Sequence, residues 1–132
     1  MNVKIDWDND QKDVLRWDLE GRWHWDDIHN AVERSVALRK EVKHERDVSV
    51  IINVQHFTPL STSALKETRK AMLIRPENRE LVVVVGRSAY TRTIVDIFRR
   101  RYVDMADQFV GVESLSAARK RIRDWRKEKL TE

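Results

Sequence analysis

The first third of the chain alternates apolar and polar residues in a way that predicts an antiparallel hairpin followed by a helix. The turn-like Asp8-Asn9-Asp10 separates two short strands in which every second residue is apolar, namely Val3, Ile5, Trp7 and Leu15, Trp17, Leu19. After Gly21 the spacing predicts a helix from Trp25 to Val42, capped by Asp26 or His24. Its inward stripe is expected to be Ile28, Ala31, Val32, Ser35, Val36 and Arg39.

The rest of the chain alternates short apolar strands with amphipathic helices. Val48 to Val54 and Leu81 to Val85 are too apolar for half-exposed strands, and their β-branched residues favour strands over helices. A helix from Ser61 to Leu73 is predicted between them and ends before Pro76. The remaining predictions are a helix from the loop Gly86–Ser88 to Tyr102 with Ile94, Ile97, Phe98 and Tyr102 inward, a strand Phe109 to Val112, and a last helix capped by Ser114 with the stripe Leu115, Ala118, Ile122 and Trp125.

This order, ββαβαβαβα, predicts a single α/β domain over residues 1–132. We expect a mixed, mostly parallel sheet of about five strands with four helices, because buried strands that alternate with helices pair in parallel through right-handed crossovers. The loops after parallel strands gather at one edge of the sheet, where ligands and partners usually bind. The loops at His56 to Ser61 and at Gly86 to Ser88 are therefore expected to lie side by side.

The composition narrows the compartment and the class of protein. The chain has no cysteine, which excludes a disulfide framework and a cysteine nucleophile and fits a reducing cytoplasm. The amino-terminal segment has no apolar signal core, and the longest aliphatic run, Leu81 to Val85, is far shorter than the roughly 20 residues of a membrane span. We expect a soluble, cytoplasmic protein without a membrane span.

Positive charge is concentrated in the last third of the chain. Residues 1–86 contain 14 Lys and Arg against 15 Asp and Glu, whereas residues 87–132 contain 12 against 7. Such a surface can attract nucleic acid, acidic lipid or an acidic protein. A solvated helix face is the favoured interpretation, since Trp125, the one aromatic residue that could stack on bases, is assigned to the core. The signal for nucleic-acid binding is not strong.

A cluster of hydroxyl residues at a predicted helix start is the main candidate site. Ser61, Thr62 and Ser63 stand where unpaired backbone N–H groups carry partial positive charge. They can cap the helix, which is worth about 1 kcal/mol, or Thr62 can accept a phosphate. Arg87, on the neighbouring loop, could pair with that phosphate. The candidate interaction edge comprises His56, Ser61, Thr62, Ser63, Arg87 and Ser88.

The segment Asn53 to Leu65, NVQHFTPLSTSAL, together with the order of elements, resembles the STAS domain of bacterial anti-sigma-factor antagonists. In that family the second buried strand ends in an acidic residue and an Asp-Ser-Ser-Gly-Leu-type motif opens the next helix. The strand Leu81 to Gly86 and the helix Thr91 to Phe98 resemble later parts of the same domain. The resemblance implies a STAS fold over nearly the whole chain and a regulatory, non-catalytic role.

The resemblance also implies a switch and a kind of partner. Family antagonists are phosphorylated on the first hydroxyl residue of the motif, which matches Thr62, and they bind anti-sigma-factor or kinase-like proteins. This chain has Ser61 where aspartate is usual, Ala64 where glycine is usual, and Asn53 where the strand ends in aspartate. These departures indicate a divergent branch, akin to the STAS group whose fold is compared with that of lipid carriers.

An alternative function is the binding of a small apolar molecule or lipid. Trp17, Trp23, His24 and Trp25 surround Gly21 and could form core packing or the wall of an apolar cleft. Other site classes are not indicated. His24 and His29 are five residues apart and so do not form an i, i+4 metal pair, and the chain has neither a Gly-rich phosphate loop nor a nucleophile elbow. We expect no enzyme activity, no cofactor and no metal, whereas a homodimer is possible.

Overall fold

The computed structural model describes residues 3–21, 25–41, 48–57, 81–87, 89–101 and 103–130. Within these ranges the chain forms one sheet of five strands, in which each strand pairs with the next strand along the sequence. Three α-helices and one short 3-10 helix accompany the sheet in the described residues. The elements are β1 (Val3–Trp7), β2 (Val14–Gly21), α1 (Trp25–Lys40), β3 (Ser49–Phe57), β4 (Val82–Val85), α2 (Ala89–Arg101), the 3-10 helix Val103–Gln108, β5 (Phe109–Val112) and α3 (Leu115–Leu130).

The pairing confirms a mixed, mostly parallel α/β sheet. β1 and β2 form the predicted antiparallel hairpin, with Ile5 opposite Trp17, whereas β2, β3, β4 and β5 are all parallel. The hairpin turn is held by Asn9, whose Oδ1 accepts hydrogen bonds from the backbone N–H groups of Asp13 and Val14, each at 3.2 Å. Lys12 adopts φ 54°, a left-handed conformation that such tight turns require. A STAS fold in particular stays a prediction.

Helices cover both faces of the sheet. On one face α1 packs over β1 and β2 through Ala31 and Leu38, and α2 packs over β4 and β5 through Val95. On the other face α3 lies across β3, β4 and β5. There the predicted stripe is confirmed, because Ala118 and Ile122 are buried and Leu115 and Trp125 are partly buried against the sheet residues Val14, Ile51, Leu81, Val83 and Val85.

Several element boundaries differ from the sequence prediction. β3 continues to Phe57, three residues past the predicted end at Val54, because a bulge interrupts its pairing with β2 between Asp18 and Glu20 and pairing then resumes. The 3-10 helix Val103–Gln108 was not predicted. In α1, Leu38 is buried although the predicted stripe omitted it, while Arg39 is only half-buried. The helix predicted from Ser61 to Leu73 lies outside the described residues.

No α-helix among the described residues combines the length and the apolar character that crossing a membrane requires.

Candidate functional site

The carboxyl ends of four parallel strands form one edge of the sheet, which we call the carboxyl edge. Glu20 of β2 is opposite His56 of β3, Asn53 of β3 is opposite Val85 of β4, and Val85 is opposite Val112 of β5. The chain leaves β4 level with Asn53 of β3, whereas β3 continues four residues further, to Phe57, at the same edge of the sheet. His56 and Arg87, which stand at these two exits, are both exposed.

Only part of the predicted interaction edge belongs to the described residues. The structure places His56 and Arg87 at the carboxyl edge. Ser61, Thr62, Ser63 and Ser88 lie outside the described ranges. The pairing of a Thr62 phosphate with Arg87 thus stays a prediction that rests on the sequence.

Backbone and side-chain hydrogen bonds order the ends of β3, β4 and β5 and the start of α3. Gln55 Nε2 donates to the backbone oxygen of Glu113 at 3.3 Å, which ties β3 to the loop before α3. The N–H of Gly86 donates to the oxygen of Val112 at 3.0 Å and extends the ladder between β4 and β5. Ser114 caps α3 as predicted, since its Oγ accepts from the N–H of Ala117 at 3.1 Å. These bonds hold the edge in a defined geometry.

Asn53 is a structural residue at the bulge of β3. Its side chain is directed toward β2, where Asn53 Nδ2 donates to Asp18 Oδ1 at 2.9 Å, and its Oδ1 accepts from the N–H of Gln55 at 3.1 Å. Asp18 Oδ2 in turn accepts from Arg16 Nε at 3.0 Å. The carboxylate near the end of this strand pair is therefore supplied by Asp18 on β2, while position 53 supplies the amide that binds it.

An ionic cluster with two buried carboxylates and partly exposed arginines joins the β1–β2 hairpin to α3, and we call it the hairpin clasp. It consists of Asp8, Asp13, Arg16, Arg119 and Arg126. The Asp8 carboxylate, whose side chain is 4% exposed, accepts two hydrogen bonds from Arg119, from Nε at 3.0 Å and from Nη2 at 2.9 Å. Arg16 Nη1 donates to the same carboxylate at 3.0 Å. Arg126 binds Asp13 through the carboxylate at 3.2 Å and the backbone oxygen at 3.0 Å.

The hairpin clasp changes the interpretation of the basic last helix. Arg119 and Arg126 were predicted as part of a solvated basic face, but both are bound to aspartates of the hairpin. The hydrogen bond to Asp8 raises the pKa of the Arg119 guanidinium, against a smaller opposing effect of burial. Since a raised pKa of a cation keeps it charged until the pH exceeds that value, Arg119 stays protonated throughout the neutral range. Upstream, Arg99 Nε donates to the oxygen of Phe109 at 2.9 Å.

The sequence indicates the arginines and the aspartates of this cluster, but not that they are in contact. Arg119 and Arg126 are seven residues apart, which places both on one face of a helix. Two aspartates, Asp8 and Asp10, occur in the predicted turn, and Asp13 follows it before the second strand. That the helix lies against this turn follows only from the way α3 crosses the sheet.

Only some of the aromatic and metal-ligating candidates from the sequence belong to the described residues. Trp17 lies on the α1 side of the sheet and packs, partly buried, against Ile5 and Leu15. Trp23 and His24 are outside the described ranges, and α1 begins at Trp25. Over the part of the chain that the structure describes, no three His, Cys, Asp or Glu side chains are grouped to hold a metal ion.

Comparison of the chain with family models, with curated proteins and with solved structures gives no match.

Replacing Asp8 by asparagine tests the hairpin clasp. Asp8→Asn leaves Arg16 and Arg119 without their shared carboxylate, so we expect a loss of about 2 kcal/mol in the free energy of unfolding. The measurement is urea denaturation at pH 7. The control is Asp124→Asn, which removes an exposed pair with Lys120 at 4.0 Å and should change stability by less than about 0.5 kcal/mol. Equal effects of the two variants would show that the clasp does not secure α3.

Exchanging residues 18 and 53 tests the role of Asn53. Asn53→Asp places a second carboxylate against Asp18 and removes the amide donor, so we expect a loss of about 2 kcal/mol at pH 7. The double variant Asp18→Asn with Asn53→Asp restores one amide and one carboxylate, and it should recover at least half of that loss. Denaturation of the two single variants and the double variant gives the coupling. Strictly additive effects would contradict the contact.

Proposed function

We propose that this protein is a non-catalytic regulatory or protein-interaction module of STAS type, which binds a protein partner at the carboxyl edge. The observation that carries the proposal is the parallel pairing of β3 and β4, which puts exposed His56 and Arg87 at the same edge of the sheet. In open parallel sheets this is the edge where ligands and partners usually bind. The hydroxyl cluster of the sequence follows His56 by a few residues.

Electrostatics support a switch at this edge. α2 and α3 begin directly after β4 and β5, so that the partial positive charge of both helix N-termini faces the carboxyl edge. A phosphate on Thr62 would add about two negative charges near this region. Its effect on a partner would be repulsion if the partner surface is acidic. The partner class implied by the STAS resemblance, an anti-sigma-factor or a kinase-like protein, belongs to this proposal.

The departure from the family pattern at position 53 has a local explanation that supports the assignment. The resemblance implies an acid at the end of the second buried strand, and this chain has Asn53. An aspartate there would face Asp18 at hydrogen-bond distance, and two adjacent carboxylates repel. The acid supplied by β2 accounts for the asparagine on β3 without loss of a carboxylate from the region.

Charge substitution at Thr62 tests the switch. The partner is first isolated by co-purification from the native cell with mass spectrometry, which also reports a phosphate on Thr62. We expect Thr62→Glu to weaken binding of that partner at least tenfold by isothermal calorimetry, whereas Thr62→Ala binds as the wild type does. Thr93→Glu, an exposed position in α2, is the matched control and should bind normally. Equal binding by the two Thr62 variants would refute the switch.

A second candidate function is the binding of a small apolar ligand, and the α1 side of the sheet favours it. The central strands of a parallel sheet are normally buried on both faces. Here Trp17, Val50 and Ile52, on β2 and β3, are only partly buried. The indole N–H of Trp17 is buried and has no hydrogen-bond acceptor among the described residues. An apolar molecule with one hydrogen-bond acceptor would match the strip formed by Trp17, Val50 and Ile52.

Tryptophan fluorescence distinguishes the second candidate. Laurate bound on the strip should quench indole emission in a saturable way, and Trp17→Phe should remove most of that change. Trp125→Phe is the control, because Trp125 packs on the α3 side of the sheet. Quenching that both variants reduce equally, or that does not saturate, would count against a site at Trp17.

A further inference from the structure

The hydroxyl of Thr91, in the first turn of α2, is buried and has no hydrogen-bond partner in the part of the chain that the structure describes. The residue is 4% exposed, and Oγ1 has no hydrogen-bond partner among the residues that the structure describes. Two positions further along the same helix, Thr93 Oγ1 donates to the oxygen of Ala89 at 3.2 Å, which is the usual way a helical hydroxyl is satisfied. A buried hydroxyl without a partner is unfavourable, and the great majority of such groups are paired.

The Thr91 hydroxyl is directed at Gly86, the residue that follows β4. A Cβ atom added to Gly86 would collide with Thr91 Oγ1 and would lie 3.1 Å from Val54 Cγ2. Oγ1 therefore lies between the residue that follows β4, the buried Val54 of β3 and the first turn of α2. Gly86 is the residue type that leaves room for this close approach. The location is the carboxyl edge, next to exposed Arg87.

The start of α2 supplies further donors and positive charge. α2 is 13 residues long, and the first N–H groups of a helix have no acceptor within it. No acidic side chain occurs in its first turn. Arg87 precedes the helix by two residues and is exposed. The Thr91 hydroxyl, amide donors that have no acceptor within the helix, and the cation of Arg87 thus belong to one short stretch between β4 and the first turn of α2, where a negatively charged oxygen is the matching ligand.

We propose that the junction of β4 and α2 binds a phosphoryl group, with Thr91 Oγ1 and the first amides of α2 as hydrogen-bond donors and Arg87 as the counter-charge. The inference deepens the proposed function, because it lies at the same edge and specifies the chemistry that the edge recognises. The phosphoryl group can come from free phosphate or from a phosphorylated side chain. The site does not depend on Thr62 being its source.

Titration of the full-length, ¹⁵N-labelled chain tests the site. Inorganic phosphate and a blocked phosphothreonine are added separately at constant ionic strength, with sodium chloride as the reference. We expect saturable shifts of the Arg87, Ala89 and Thr91 amides, and tighter binding of the blocked phosphothreonine if the source is a side chain. Arg87→Gln should raise the Kd at least fivefold, whereas Arg100→Gln, an exposed cation at the other end of α2, should not.

Thr91→Val separates binding from folding. The substitution keeps the shape and removes the hydroxyl, so the unliganded variant should melt at or above the wild-type temperature, whereas the rise in Tm that phosphate causes should disappear. Absent shifts, or shifts that persist in both Thr91→Val and Arg87→Gln, would mean an adventitious ion only and would overturn the proposal. A lower Tm for unliganded Thr91→Val would also overturn it, because the hydroxyl would then have an internal partner. Partner binding in the Thr62 variants is scored separately, so either proposal can fail alone.

Discussion

Burial of β4 on both faces is the constraint on which the rest of the fold depends. Leu81 and all four residues of β4 are at most 3% exposed. A strand of this kind must be covered on both sides, and in this chain α2 covers one face and α3 the other. β4 is parallel to both of its neighbours, β3 and β5, and α2 lies in the crossover from β4 to β5. Their exits then share one edge, and the candidate site is a direct result of how β4 is buried.

The hairpin clasp determines where α3 lies. Among the described helices, α3 alone covers the second face of the sheet, and apolar contacts by themselves tolerate sliding of a helix along a flat surface. The contacts from Arg119 to Asp8 and from Arg126 to Asp13 join residues 111 and 113 positions apart in sequence. They fix the position of α3 along the sheet and its rotation about its own axis. Buried ion pairs add little net stability compared with apolar packing, but breaking one leaves an unpaired charge. We therefore interpret the hairpin clasp as a set of contacts that positions α3 on the sheet. Part of the positive charge in the last third of the chain then has a structural role.

Local patterns predicted most of the described elements, because burial on one face leaves a periodic trace in sequence. The hairpin strands, β5 and the stripe of α3 are examples. Features that depend on partners distant in sequence were not predictable. β3 extends to Phe57 because Asn53 and Asp18 fix a bulge between strands 35 residues apart. From sequence alone Arg119 and Arg126 are interpreted as solvated cations, because their contact with the hairpin is visible only in the folded structure. Arg87 and His56 could be assigned to one edge from topology, whereas no sequence pattern distinguishes the unsatisfied hydroxyl of Thr91 from the satisfied one of Thr93.

The described polar groups of the carboxyl edge differ in a way that bears on function. Asn53, Gln55 and Ser114 each have a partner within the chain, and their bonds join β3 to β2, join β3 to the loop between β5 and α3, and cap α3. Thr91 lies beside Gly86, the residue that follows β4, and has no such partner among the described residues. A donor held by fixed neighbours is preorganised, and preorganised donors bind anionic oxygen more strongly than mobile ones do. A valine in place of Thr91 would fill the same volume without an unsatisfied donor. The hydroxyl is thus unfavourable for the free fold, and its cost is offset only when an acceptor from outside reaches the edge.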